Sequence, residues 1–152
     1  MASNNLAKPE SAEKLLENFF DENTFTGFNT GNNSSVITGT GYADGTLVSV
    51  FAFDADKNKG SVNSATASSL LRLYKYAVKT GTPVVGFYNT SGGMIEDGAS
   101  LLLAYSEILT LSSKLSGTVP QIAVIDGVCA GASALIAALS DIVIATECSE
   151  IF

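Results

Sequence analysis

Histidine and tryptophan are absent from this chain of 152 residues. Without histidine there is no Ser-His or Cys-His nucleophile and no zinc site built on imidazole. Charge is scarce too: 15% of residues are Asp, Glu, Lys or Arg, against about 25% in an average soluble domain. The basic sign is the scarcer one, with eight Lys and Arg against fifteen Asp and Glu, for a formal net charge of −7. Nonspecific nucleic-acid binding needs a basic surface that displaces counterions, so no nucleic-acid partner is expected. No basic amphipathic stretch marks a membrane surface. The apolar runs fall short of the roughly 20 residues that cross a bilayer, so no membrane insertion is expected. Cys129 and Cys148 are the only cysteines, and Cys129 lies within an apolar run. Both read as reduced thiols. The opening "MASNNLAKPESAEK" lacks the charged-then-apolar plan of a secretory leader. The expected location is the cytoplasm.

What is present is apolar. Hydrophobic residues make up 46% of the chain, and the length suffices for one domain, residues 1–152, with a real core. Ordinary hydrophobicity with so little charge predicts that part of the surface is covered by another subunit, in a homo-oligomer or a paired complex.

The periodicity alternates along the chain. Leu15, Leu16, Phe19 and Phe20 have helical spacing within residues 10–20, which predicts a short helix there. Residues 21–34, rich in Asn, Thr and Gly, read as loop. Two β-rich runs, 35–40 and 46–53, flank Asp44-Gly45, a hairpin signal. A helix over 62–79 is closed by Gly81-Thr82-Pro83. Strand 84–88, helix 98–115, strand 121–126, helix 131–139 and strand 142–146 follow. This rhythm predicts an α/β fold with parallel βαβ units, its strands apolar enough to be covered on both faces.

Two strand-to-helix junctions are rich in glycine: "NTSGGMIEDG" and "IDGVCAGAS". Gly127 is expected just after its strand, and Gly131 at the start of the next helix. Glycine admits a ligand close to the backbone, and helix starts expose unpaired N–H groups. Two such junctions on neighbouring strands would form an oxyanion hole without charged side chains. Glycine at such a turn also serves geometry alone, and spacing does not separate the two readings. Neither junction is a phosphate loop: Gly-Lys-Ser/Thr is missing, and no GxGxxG follows a strand. Glu96 and Asp97, just before a predicted helix, suit its dipole better than catalysis. Asp126 and Asp141 read as turn or capping residues. Arg72, Lys75 and Lys79 read as a solvated helix face, and Cys129 as a small buried hydrophobe.

The strings "SGG…EDGASLLLAYSEI", "SGTVPQIAVIDGVCAGASA" and "SDIVIAT" resemble the biotin-dependent acyl-CoA carboxyltransferases of the crotonase superfamily. "VITGTGYADGTLVSVFAFD" resembles the opening hairpin of that family. The resemblance implies a crotonase-like ββα superhelix with a parallel sheet core, of which this chain is the N-terminal part or one such domain. It implies an acyl-CoA substrate, carboxybiotin on a partner carrier protein, no metal, and a site shared with a paired carboxyltransferase subunit or the rest of a longer chain. Carried over by position, the catalytic N–H groups would come from Gly92, Gly93, Gly131 and Ala132. Four departures stand out. The first loop is one residue shorter and lacks the usual arginine. Thr90 stands in place of an acidic residue, and Ser69 in place of a lysine. Ala132 replaces a glycine, where a positive φ would be strained. The alternative is a degenerate, non-catalytic crotonase-like subunit acting in assembly. A hydratase-type reaction is a weaker reading, because it needs two positioned carboxylates and Glu96 and Asp97 are adjacent.

Overall fold

The apolar spacing of residues 10–20 folds as helix α1 (Ala12–Phe19) in the computed structural model, which describes residues 9–152. Ala12 and Leu16 are its buried positions. The hairpin forms between β2 (Val36–Ala43) and β3 (Thr46–Phe53), after the short strand β1 (Thr26–Gly27). Its turn residues Asp44 and Gly45 have φ of 48° and 72°, the paired positive values of a two-residue primed turn. The Asp21 carboxylate accepts from both of their N–H groups, at 3.1 and 3.0 Å.

Several boundaries differ from the sequence reading, two of them in this first part of the chain. The first hairpin strand runs on through Gly41 to Ala43. A Cβ on Gly41 would sit 2.7 Å from the Phe20 ring, so close packing demands the glycine that weakened the strand signal. Residues 21–34 are also not all loop, since Thr26 and Gly27 pair antiparallel with Thr40 and Gly39. A two-residue strand carries too little alternation to be read.

Helix α2 (Ser64–Thr80) starts where the Asn63 side chain accepts from Thr66 N–H, and ends where Gly81 turns left-handed and donates to the Ala77 carbonyl. Then come β4 (Val84–Thr90), α3 (Gly98–Leu115), β5 (Gln121–Cys129), α4 (Ala132–Ala138), β6 (Ile142–Ala145) and β7 (Glu150–Ile151). The described residues form a seven-stranded sheet in the order β1-β2-β3-β4-β5-β6, with β7 paired to β5. The pairs β3–β4, β4–β5, β5–β6 and β5–β7 are parallel. The expected α/β fold with a parallel core is therefore present.

Coverage of the two sheet faces is unequal. Phe51, Phe53, Tyr88, Ala123 and Ile125 pack under α2, α3 and α4. On the other face Val48, Val50, Ala52, Val85 and Phe87 meet, among the described residues, no helix but α1. Its eight residues extend about 12 Å at 1.5 Å per residue. Strands lie about 4.8 Å apart, so α1 shields two or three of them. The expectation of double coverage holds for the central strands and fails at β6, where Ile142, Val143 and Ile144 are about half exposed at 52%, 45% and 50%.

Candidate active site

The two glycine loops leave the carboxyl ends of adjacent parallel strands. Thr90, the last residue of β4, is in register with Cys129, the last of β5. The Ala130 N–H donates to the Thr90 carbonyl at 3.2 Å. A Cβ on Gly92 would lie 3.0 Å from the Ala130 carbonyl oxygen, so the loops stack backbone against backbone.

The four positions are not equivalent. Gly92 is buried at φ 93°, and its N–H donates to the Thr90 hydroxyl at 3.1 Å. Its carbonyl accepts from Val62 N–H at 2.8 Å, while Met94 N–H returns a bond to the Val62 carbonyl at 2.9 Å. This bridge holds the first loop to the segment ahead of α2. The Gly93 N–H takes no partner among the described residues. In the second loop Gly131 precedes α4 with φ 64° and ψ −137°, and its N–H donates to the Phe152 carbonyl at 3.0 Å. Ala132 is the first residue of α4, so its N–H has no intrahelical acceptor and takes none among the described residues. Gly93 and Ala132 are thus the two positions of the four whose N–H groups are uncommitted.

Several expectations are corrected. Ala132 does not adopt a positive φ: Gly131 carries that conformation and Ala132 is already helical, so the replacement of glycine causes no strain. Gly127 does not follow β5 but lies inside it at φ 128°. The β4–β5 register shifts between Tyr88 and Thr90. The Asn89 side chain fills the space a Cβ on Gly127 would take, and accepts from Val128 N–H at 3.3 Å. Gly127 therefore serves a bulge rather than a ligand loop. The first loop does not run straight into a helix either, since a 3₁₀ turn (Ile95–Asp97) intervenes before α3. Ser69 is buried, and its hydroxyl bonds the Ala65 carbonyl at 3.0 Å, so it faces the core.

No carboxylate is poised at the loops. Glu96 is exposed. Asp97 spends its carboxylate on the N–H and hydroxyl of Ser64, at 2.8 and 3.0 Å, so it caps α2 and not the helix that follows it. Asp141 accepts from Gln121 N–H at 2.7 Å. Asp126 accepts from the Thr146 hydroxyl at 3.0 Å and the Cys148 thiol at 3.2 Å. Both tie neighbouring segments together, as turn-forming residues do. Arg72 lies on the exposed face of α2, as expected, and there its guanidinium donates to the Asn29 carbonyl. Burial pushes the Cys129 thiol up to about 11, so it stays protonated and inert, as a small buried hydrophobe. A surface cleft of about 200 Å³ opens beside Asn89, but Glu10, Asp54 and Asp56 line it, a poor setting for a phosphorylated ligand.

The sequence reading noted Thr90 only as a replaced position, and missed three features around the loops: the bond that the Thr90 hydroxyl accepts, the Asn89 amide, and the hydrogen bond between Tyr105 and Ser133. Asn-Thr at the end of an apolar strand was the one visible signal, since such residues bond nearby backbone.

Comparison with known proteins agrees with this architecture. The model of the carboxyl transferase domain matches residues 2–152. Over 121 residues the chain is 36% identical to the mitochondrial propionyl-CoA carboxylase beta chain of Homo sapiens, covering 80% of this chain and 21% of that one. It is 36% identical over 108 residues to the methylmalonyl-CoA decarboxylase subunit alpha of Veillonella parvula, covering 71% and 21%. Among solved structures, the transcarboxylase 12S hexamer with methylmalonyl-CoA and methylmalonic acid bound superposes with a TM-score of 0.91. That match has 29% identity and covers 95% of this chain and 31% of the other. The chain thus spans about a fifth of the length of the curated relatives it matches. The fold is the crotonase-like one of these carboxyltransferases.

Proposed function

The chain belongs to the carboxyl transferase domain family, and on that premise we propose that it binds an acyl-CoA thioester as part of a biotin-dependent carboxyltransferase or decarboxylase. Its own contribution is an oxyanion hole formed by the N–H groups of Gly93 and Ala132, with Gly92 and Gly131 shaping the two loops. The observation that carries this reading is the stacking of the loops at adjacent strand ends, with one uncommitted N–H on each.

Gaining or losing a carboxyl group at the carbon beside a thioester passes through an enolate, with negative charge on the thioester oxygen. Backbone N–H groups already fixed in place stabilise that charge without reorganising, and one such donor is worth about 10² to 10³ in rate. Buried Cys129 and Val62 at the loops lower the local dielectric and strengthen the interaction. Neutral N–H donors fit a carbonyl oxygen, whether of the thioester or of the biotin ureido ring. When bound, carboxybiotin on a partner carrier would supply the activated carboxyl group. The absence of histidine is no obstacle, because this role asks the chain for donors and not for a base.

Association, as a homo-oligomer or with a paired subunit, is part of the proposal. It rests on the half-exposed strand β6, beside which Ile151 and Phe152 are also exposed. The free thiols of Cys129 and Cys148 fit a reducing compartment, which supports the cytoplasm.

The test is calorimetric titration with propionyl-CoA and methylmalonyl-CoA, of the chain and of its Ala132→Pro variant. Proline fits the first helical position, where it replaces the N–H with a ring carbon and so deletes the donor. Gly131→Pro is unsuitable, since φ there is 64° and proline requires about −65°. Saturable binding weakened about tenfold by Ala132→Pro, with unchanged circular dichroism, is the expected result. Absence of binding by the unaltered chain, together with a stable oligomer, would replace this reading with the assembly role.

A further inference from the structure

Tyr105 bridges the two glycine loops through side-chain contacts. It lies on α3, the helix entered from the first loop, and is 6% exposed. Its ring edge sits 3.2 Å from where a Cβ on Gly93 would be. Its hydroxyl lies 3.0 Å from the Ser133 hydroxyl, and Ser133 is 1% exposed. Ser133 is the second residue of α4 and directly follows Ala132. One side chain therefore lies over the Cβ side of the glycine that bears one uncommitted N–H and is bonded to the residue beside the other.

The site needs such a link. Helix α4 has only seven residues, and a short apolar segment facing a core can slide and turn at little cost. Ile136 and Ala137 bury its far end. At its near end Ser133 is the buried side chain, and its partner among the described residues is Tyr105. Burial raises the Tyr105 hydroxyl above its ordinary value, while the Ser133 bond opposes that rise. The phenol therefore stays protonated, one hydroxyl donating and the other accepting.

We propose that Tyr105 is a positioning residue which, through Ser133, fixes the N–H of Ala132 relative to that of Gly93. This rests on the oxyanion reading above. Two donors stabilise one oxygen only when both point at it from about 2.7–3.1 Å, and a displacement of about 1 Å can cost on the order of a hundredfold. The bond holds the geometry, and Tyr105 itself touches no reacting atom.

The test compares two coenzyme A ligands. One is acetyl-CoA. The other is a coenzyme A analogue with methylene in place of sulfur and a carboxylate in place of the acyl group, so that an anionic oxygen lies where the thioester oxygen would. The unaltered chain is expected to prefer the anion at least tenfold. Tyr105→Phe and Ser133→Ala are each expected to remove most of that preference, weakening the anionic ligand far more than acetyl-CoA. The double variant separates positioning from simple stability. Each single change leaves one buried hydroxyl unpaired, whereas removing both leaves none, so thermal stability should return toward that of the unaltered chain. The anion preference should stay low in the double variant. If preference recovers along with stability, or survives Tyr105→Phe, the positioning role is overturned. If Ala132→Pro abolishes the preference and Tyr105→Phe does not, only the positioning role falls. If the unaltered chain shows no preference, the oxyanion reading falls and this inference with it.

Discussion

The Ala130 carbonyl oxygen occupies the space into which a Cβ on Gly92 would project, 3.0 Å away. Gly92 also has φ 93°, a region that L-residues rarely adopt. Gly92→Ala should therefore destabilise the fold by about 1–3 kcal/mol and separate the two loops. Urea unfolding checks the first effect and CoA-thioester titration the second. Full stability in the variant would show that the loops do not depend on this contact.

Asp97 belongs to the first loop region yet caps α2 by accepting from Ser64. Asp97→Ala should cost about 1 kcal/mol, the ordinary worth of an N-terminal cap. Asp97→Asn, which keeps an acceptor, should cost less. Measuring both by urea denaturation tells a capping role from a catalytic one, since a catalytic acid would show in rate and not in stability.

Alkaline pH should weaken the fold through its buried thiol. Burial raises Cys129 from 9.0 to about 11. A group that holds its proton more tightly when folded contributes its full stability below the unfolded value. That contribution is lost as pH rises from about 9 through 11, because the unfolded thiol releases its proton first. Thermal midpoints across this range should fall, and fall less steeply in Cys129→Ala. Native alkylation at pH 8 should label Cys148 before Cys129. Rapid labelling of Cys129 would contradict the burial argument.

The half-exposed strand β6 should drive self-association. Sedimentation at micromolar concentration is expected to show a species larger than a monomer, and Ile144→Glu to dissociate it. Exposed positions such as Ile144 tolerate substitution within about 0.5 kcal/mol, so monomer stability should scarcely change. A clean monomer of the unaltered chain would refute this.

Local chemistry made much of this protein readable from its residues alone. Apolar spacing located α1, α2 and α3, the Asp-Gly pair located the hairpin, and strand-helix alternation implied a parallel sheet. Those features depend on neighbours a few residues apart. The same alternation placed the two glycine loops near each other, because consecutive parallel strands tend to be adjacent. Other properties depend on residues distant in sequence that fold into contact. Which N–H groups stay free is decided by Thr90 at Gly92 and by Phe152 at Gly131. Gly131 takes the positive φ and so spares Ala132, a division of conformation that the pair Gly-Ala does not announce. The exposure of β6 is likewise a matter of packing: Ile142 and Ile144 on one face of the sheet and Val143 on the other are all left about half exposed, although the three are as apolar as any core strand. Apolar pattern determines which residues seek burial. Only tertiary packing decides which of them find cover and which donors are left over for a ligand.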